Sequence, residues 1–210
     1  MSTQPLKFVP NSQLGHTAHP LAEKLIDEVD GEVMFDAPSR GRYSTDASIY
    51  QIMPIGVVVP RTMEAALCAI QIAAEQGVPI LPRGGGTSQC GQTVGAALII
   101  DNSKFLTSIV DFNADTKRAT VQPGMVLDHL NAKLKSSGLW FPVDVSTSAQ
   151  ATIGGMAGNN SCGSRSLFYG NMVHNVAAIE AVLADGATEK FSELHSEIES
   201  GRSTDRKSVV

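Results

Sequence analysis

A chain of 210 residues, 42% hydrophobic and 18% charged, holds enough apolar material for one substantial core or two small ones and reads as a folded protein. Its net charge of -5 supplies no basic field, which removes nucleic acid and anionic membrane surfaces as default partners. No apolar run reaches the roughly 20 residues of a membrane span and the start MSTQPLKFVPNSQ lacks a secretory leader's pattern, so a cytoplasmic location without a membrane span is expected.

In chain order, AHPLAEKLIDEV (18–29) sets Leu21, Leu25, Ile26 and Val29 at helical spacing behind a proline, and predicts one amphipathic helix with a turn at Asp30 and Gly31. The run 55–59, IGVVV, predicts a buried strand, 62–76 a helix stopped by Gly77, and 78–81 a second strand, together a β-α-β unit. Strands are also expected at 96–101, 106–112 and 118–124. A helix over 125–138 should carry Leu127, Leu130 and Leu134 as its apolar stripe. The segment NVAAIEAVLADGATEKF reads as a strand, a turn at Asp185 and Gly186, and a return strand. The fold class is α+β, without internal repeats.

Two glycine-rich segments carry the chemistry. In PRGGGTSQCGQ (82–92), Gly84, Gly85 and Gly86 have no side chains to hold backbone N–H groups away from a ligand, so they can line up donors for phosphate oxygens. Arg83 adds a positive charge, and Thr87 and Ser88 add hydroxyl donors. A Walker loop is excluded because no glycine-lysine pair occurs, and a dinucleotide-binding turn fits poorly because the glycines lead to another strand, not a helix. A plain tight turn remains the rival reading. The second segment, ATIGGMAGNNSCGSRSLFYGN (151–171), repeats the chemistry with Thr152, Gly154, Gly155, Gly158, Asn159, Asn160, Ser161 and Gly163. LWFPVDVSTSAQ before it adds Pro142, Asp144 and Ser146. Two such loops can clasp one long ligand such as a pyrophosphate with its sugars, which points to a nucleotide-containing cofactor without naming it.

PRGGGTSQCGQ, FPVDVSTSAQATIGGMAGNNSCG and YGNMVHNVAAIEAVLADG together resemble the FAD-binding domain of the FAD-linked oxidases, the PCMH-type or vanillyl-alcohol oxidase superfamily. Within it the likeness is to D-lactate and glycolate dehydrogenases. RYSTDASIYQIMPIGVVVPR (42–61) is similar to large bacterial members whose flavin domains are fused to a C-terminal iron-sulfur domain. The resemblance implies a PCMH-type fold of two small α+β subdomains, about 51–104 and 105–191, with FAD between them and residues 1–50 as an N-terminal helix and lead-in. It puts Arg83 to Ser88 and Gln92 around the pyrophosphate. Pro142, Asp144, Ser146, Thr152, Gly154, Gly155, Gly158, Asn159, Ser161 and Gly163 form the other wall. Some relatives attach FAD through a histidine after the glycines, where this chain has Thr87, so noncovalent FAD is expected. The family's usual P-P-D-P reads P-V-D-V here, at 142–145.

The implied reaction is oxidation of a small D-2-hydroxy acid by hydride transfer to flavin N5, with electrons passing to an acceptor the sequence does not name. The substrate-binding arginine and histidine base belong to a following cap domain, and any Fe-S cluster to a C-terminal part, so no catalytic residue is assigned here. Other PCMH-type enzymes, such as a UDP-N-acetylenolpyruvylglucosamine reductase or a molybdenum-hydroxylase flavin subunit, and a stand-alone FAD-binding module are the alternatives. After Phe191 the apolar pattern is lost, and 192–210 reads as a non-native or disordered tail. DRKSVV is what GAT CGG AAG AGC GTC GTG, a common sequencing-adapter sequence, would encode, so a truncated fragment is expected. Cys68, Cys90 and Cys162 show no C-x-x-C spacing, so neither a disulfide framework nor a metal site is expected. Cys68 reads as core, Cys90 and Cys162 as semi-buried structural thiols, and His174 as a hydrogen-bonded structural residue.

Overall fold

The computed structural model describes residues 20–183 and 186–192, so the expectations for 193–210 and for Asp185 fall outside the described residues. Elements follow in the order α1 (Pro20–Glu28), β1 (Gly31–Met34), α2 (Ala37–Arg42), β2 (Gly56–Pro60), α3 (Met63–Glu75), β3 (Ile80–Arg83) and β4 (Leu98–Asp101). Next come β5 (Ile109–Asn113), β6 (Arg118–Val121), α4 (Leu127–Leu134) with a 3-10 turn at Lys135–Ser137, and α5 (Ile153–Gly158). The short helices α6 (Ser166–Tyr169) and α7 (Met172–Asn175) and the strands β7 (Ala178–Val182) and β8 (Thr188–Ser192) complete the chain's described part.

β1 to β4 form one sheet in the order β1-β2-β4-β3, with β2, β4 and β3 parallel and β1 antiparallel at the edge. The continuous apolar runs of β2 and β4 follow from burial on both faces. Val58, Leu98 and Ile100 face α1 and α3, meeting Leu21, Leu25, Ala65, Ala69 and Ile72. Val57, Val59 and Ile99 face the other side, against Met34, Tyr43, Leu81 and Phe105. Side-chain alternation along a strand explains this split. Each such Val, Leu or Ile contributes roughly 1.5–3 kcal/mol of burial. Thr62 caps α3 by accepting the Ala65 N–H, and Gly77 at φ +65 ends it.

The second half is thinner. β5 and β6 make one antiparallel hairpin and β7 and β8 another. The stripe Leu127, Leu130 and Leu134 of α4 is buried, serving clusters built with Val143, Ala151, Met156 and Met172 on one side and Met125 on the other.

Several local expectations shift. β4 lies between β2 and β3, so the two strands flanking α3 are not neighbours. β1 and α2 stand where only a turn and a lead-in were expected, because a four-residue edge strand and the sequence APSRGR carry no apolar period. Asp36 starts α2 by accepting the Ser39 N–H at 2.9 Å. Ile26 is exposed, whereas Leu21, Leu25 and Val29 are buried. Cys68 sits at the core margin, and Cys90 and Cys162 are exposed on loops instead of semi-buried.

Candidate functional site

Residues 84–97 connect β3 to β4 and carry the first glycine loop. No acceptor among the described residues meets the backbone N–H groups of Gly84, Gly85, Gly86, Thr87, Ser88 and Gln89. Gly85 and Gln89 are exposed and the other four half-buried, so the row is open to solvent, and its geometry suits an anionic ligand with several oxygens. The Ser88 hydroxyl bonds the Gln92 side chain and accepts from the Cys90 N–H at 3.2 Å.

The loop is braced from outside by the segment after α2. The Arg83 guanidinium donates to the carbonyls of Tyr43 (3.2 Å), Thr93 (3.1 Å) and Thr45 (2.8 Å). It also lies 5.3 Å from the Tyr43 ring centroid. Ala47 donates its N–H to the Gly86 carbonyl at 3.2 Å. Asp46 accepts from the Thr93 hydroxyl at 3.0 Å and the Ser48 N–H at 2.8 Å. Burial works to raise the Asp46 carboxyl, but these hydrogen bonds outweigh it and hold it below the ordinary value. The Tyr43 hydroxyl donates to buried Asp101 at 2.8 Å, and burial together with that carboxylate pushes the phenol well above its usual value.

The second loop's donors are largely satisfied by the protein. Thr152 caps α5 by accepting the Gly155 N–H, and the N–H groups of Ile153, Gly154, Met156, Asn159, Asn160 and Ser161 all reach backbone carbonyls. Such a cap is worth about 1 kcal/mol. The Asp144 carboxylate accepts the Arg165 N–H at 3.0 Å and the Ser164 hydroxyl at 2.8 Å, and the Arg165 Nε lies 3.5 Å away. The Arg165 N–H first, then the Ser164 hydroxyl, keep the Asp144 carboxyl below its ordinary value. Val143 and Val145, the departures in P-V-D-V, turn their apolar side chains to the core cluster of this half.

The two loops touch. Gln92 Nε2 donates to Asn159 Oδ1 at 3.3 Å. A Cβ added at Gly84 would strike the Thr152 hydroxyl, and one at Gly85 the Gln150 carbonyl. Gly154 abuts Pro123, and Gly163 abuts the Asp144 carbonyl, so these glycines make room for neighbouring backbone. Gly158 differs, with nothing within 4 Å of an added Cβ. Thus the sequence-predicted residues Gly84 to Ser88, Gln92, Thr152, Gly154, Gly155 and Asn159 come together. Ser146 is exposed, and Asp144, Ser161 and Gly163 build the second loop's own frame. Arg83 directs three of its five N–H donors to protein carbonyls. His174 accepts the Asn171 N–H at 3.1 Å, a capping role.

The bracing segment Tyr43 to Tyr50 is what sequence reasoning missed. Its signal, an aspartate two residues before a serine, is that of any Asx turn. An apolar cleft of about 500 Å³ opens elsewhere, between α3, β3 and β7, lined by Met63, Leu67, Ile70, Pro79 and Val182. It offers few polar groups, and the unused donors place the candidate site at the loops instead. Among the described residues no His, Cys, Asp and Glu group could hold a metal, and no helix is long and apolar enough to cross a membrane.

Residues 54–192 match a family model described as FAD binding domain. The chain is 35% identical over 170 residues to D-2-hydroxyglutarate dehydrogenase of Haemophilus influenzae, covering 80% of this chain and 17% of that protein. It is 39% identical over 171 residues to glycolate oxidase subunit GlcD of Bacillus subtilis, covering 78% of this chain and 36% of the relative. The chain therefore spans between about a sixth and about a third of these relatives. Among solved structures, alkyldihydroxyacetonephosphate synthase superposes with a TM-score of 0.73 at 18% identity, over 93% of this chain and 38% of that one. Physcomitrella patens BBE-like 1 (variant D396N) superposes with a TM-score of 0.70 at 21% identity, over 82% and 37%. At these identities the two superpositions show the α+β fold.

Proposed function

The chain belongs to the FAD binding domain family, and on that premise we propose that it holds the cofactor of an FAD-linked oxidoreductase that oxidises a small D-2-hydroxy acid. FAD is the cofactor, and the family is one of FAD-linked dehydrogenases and oxidases. The substrate class rests on relatives named for hydroxyglutarate, glycolate and D-lactate. One observation carries the assignment of the site: the row of unused N–H donors at 84–89 lies inside the matched 54–192.

The donor set fits a pyrophosphate. Gly84 to Gln89 would supply N–H groups, and Thr87 and Ser88 hydroxyls, to its oxygens. Gln92 and Asn159, already bonded to each other, would close the two loops along it. Pro142, Asp144, Ser146, Thr152, Gly154, Gly155, Gly158, Asn159, Ser161 and Gly163 would form the facing wall, with Gly158 leaving open space. Thr87 offers no imidazole for covalent attachment, so FAD would be held noncovalently. When bound, FAD would supply a hydride acceptor for the carbon that bears the substrate hydroxyl. The residues of this chain bind and orient it, and the acid-base groups belong to a substrate domain outside the chain. Two subdomains, 51–104 and 105–191, would hold FAD in a cytoplasmic enzyme whose electron acceptor, and any Fe-S cluster, would lie outside these residues.

The test is purification with an absorbance spectrum and acid release of the flavin. A yellow protein that releases FAD on acidification supports the reading. A folded chain that stays colourless with excess FAD contradicts it.

A further inference from the structure

We infer that Arg83 is a positioning residue, which with the segment Tyr43 to Tyr50 fixes the shape of the glycine loop, and is not an ionic partner of the ligand's phosphates; this rests on the FAD reading above. The geometry of the guanidinium carries it. One fork reaches the carbonyl of Thr93, where the loop returns, and those of Tyr43 and Thr45, in the bracing segment. Arg83 itself stands where the loop leaves β3. A single side chain thus ties both ends of the loop to a third stretch of backbone, and its guanidinium carbon lies 5.3 Å from the Tyr43 ring centroid, within cation–π range.

Independent contacts act the same way. The Ala47 N–H holds the carbonyl of Gly86, whose φ is +65, and so fixes one peptide within the donor row. Asp46 holds Thr93 through its hydroxyl, and the Tyr50 ring packs where a Cβ at Gly91 would stand, 2.6 Å from Tyr50 Cδ2. The brace precedes residue 54, where the family match begins.

A lysine at 83 keeps the charge but not the fork, so Arg83→Lys separates the two roles. In the full 210-residue chain, FAD affinity would be measured by flavin fluorescence titration for the wild type, Arg83→Lys, Arg83→Gln and Thr93→Val. Exchange of the Ala47 amide would be followed without FAD. Positioning predicts that Lys and Gln each weaken FAD by about tenfold or more. Thr93→Val, which removes no charge, should weaken it about threefold. All three should speed Ala47 exchange. An Arg83→Lys affinity within about twofold of wild type beside a large loss in Arg83→Gln overturns the inference in favour of an ion pair. Unchanged Ala47 exchange overturns it whatever FAD does. If the Arg83 variants fail to fold, Thr93→Val decides alone, and no effect on either readout overturns the inference. A folded wild type that ignores FAD sinks the cofactor reading, while the exchange measurement still decides whether Arg83 holds the loop.

Discussion

The two glycine-rich loops have similar compositions and opposite hydrogen-bond states. Six successive N–H groups from Gly84 to Gln89 meet no protein acceptor among the described residues, whereas most of those from Ile153 to Ser161 are bonded within the protein. The first loop is a set of free donors held in shape by neighbours, and the second is a wall whose N–H groups are mostly taken by protein acceptors, Met125, Pro123 and Asp144 among them. Glycine content does not distinguish them. Gly84 and Gly85 are small largely because Thr152 and Gln150 press on them, while the segment 43–50 holds the loop through Arg83, the Gly86 carbonyl and Thr93.

The largest expected effect tests whether those glycines serve clearance as well as binding. Gly85→Val puts a branched side chain against the Gln150 carbonyl, a backbone atom that no rotamer change can move aside. The variant should lose about 3 kcal/mol of stability even without ligand, and should lose FAD binding with it. Urea unfolding of the FAD-free chain checks this. If the midpoint is unchanged and only FAD is lost, Gly85 serves the ligand alone and the distinction drawn between the loops fails.

Much of this architecture was legible in the sequence where one element decides its own structure. The runs Val57–Val59 and Leu98–Ile100 announced strands, the stripe Leu127, Leu130 and Leu134 announced α4, and Gly77 announced the end of α3. What was not legible depends on residues far apart in the chain. That Arg83 bonds Tyr43 and Thr45 follows from how β3 is placed beside the lead-in, and a lone arginine next to glycines announces charge without direction. β1 acquires its strand character from pairing with β2, not from its own pattern. The pairing of the two glycine loops could be read, because both use the same small-residue chemistry, but the inequality of their donors could not.

A smaller effect separates the loops by pH. Asp144 has a depressed value in the folded chain, so its contribution is present above the unfolded carboxyl value, about 3.9, and is lost as pH falls through the folded one. Asp144→Asn should therefore flatten the acid slope of the melting temperature below about pH 4. Its amide keeps an oxygen for the Arg165 N–H, so the variant should melt somewhat below wild type at neutral pH and converge with it in acid. Because Asp144 frames only the second loop, the acid slope of Ala47 amide exchange should be the same in both proteins. A steepened or abolished slope at Ala47 would mean that the loops melt as one unit.

Gly158→Ala should have the smallest effect on the fold and is therefore the cleanest probe of the site. Its added Cβ meets nothing within 4 Å, and the position closes α5 without a positive φ. Alanine in a helix gains up to about 1 kcal/mol over glycine from lower backbone entropy in the unfolded chain, and near a helix end it gains less. The FAD-free variant should melt at or slightly above the wild-type temperature. If the open space beside Gly158 belongs to the cofactor, the same methyl group should weaken FAD binding several-fold. That combination, a neutral or stabilised fold with a weaker ligand, cannot come from damage to the scaffold. A variant that binds FAD like wild type would remove Gly158 from the wall and leave Asn159, which bonds Gln92 of the first loop, as the nearer point of contact between the second loop and the ligand.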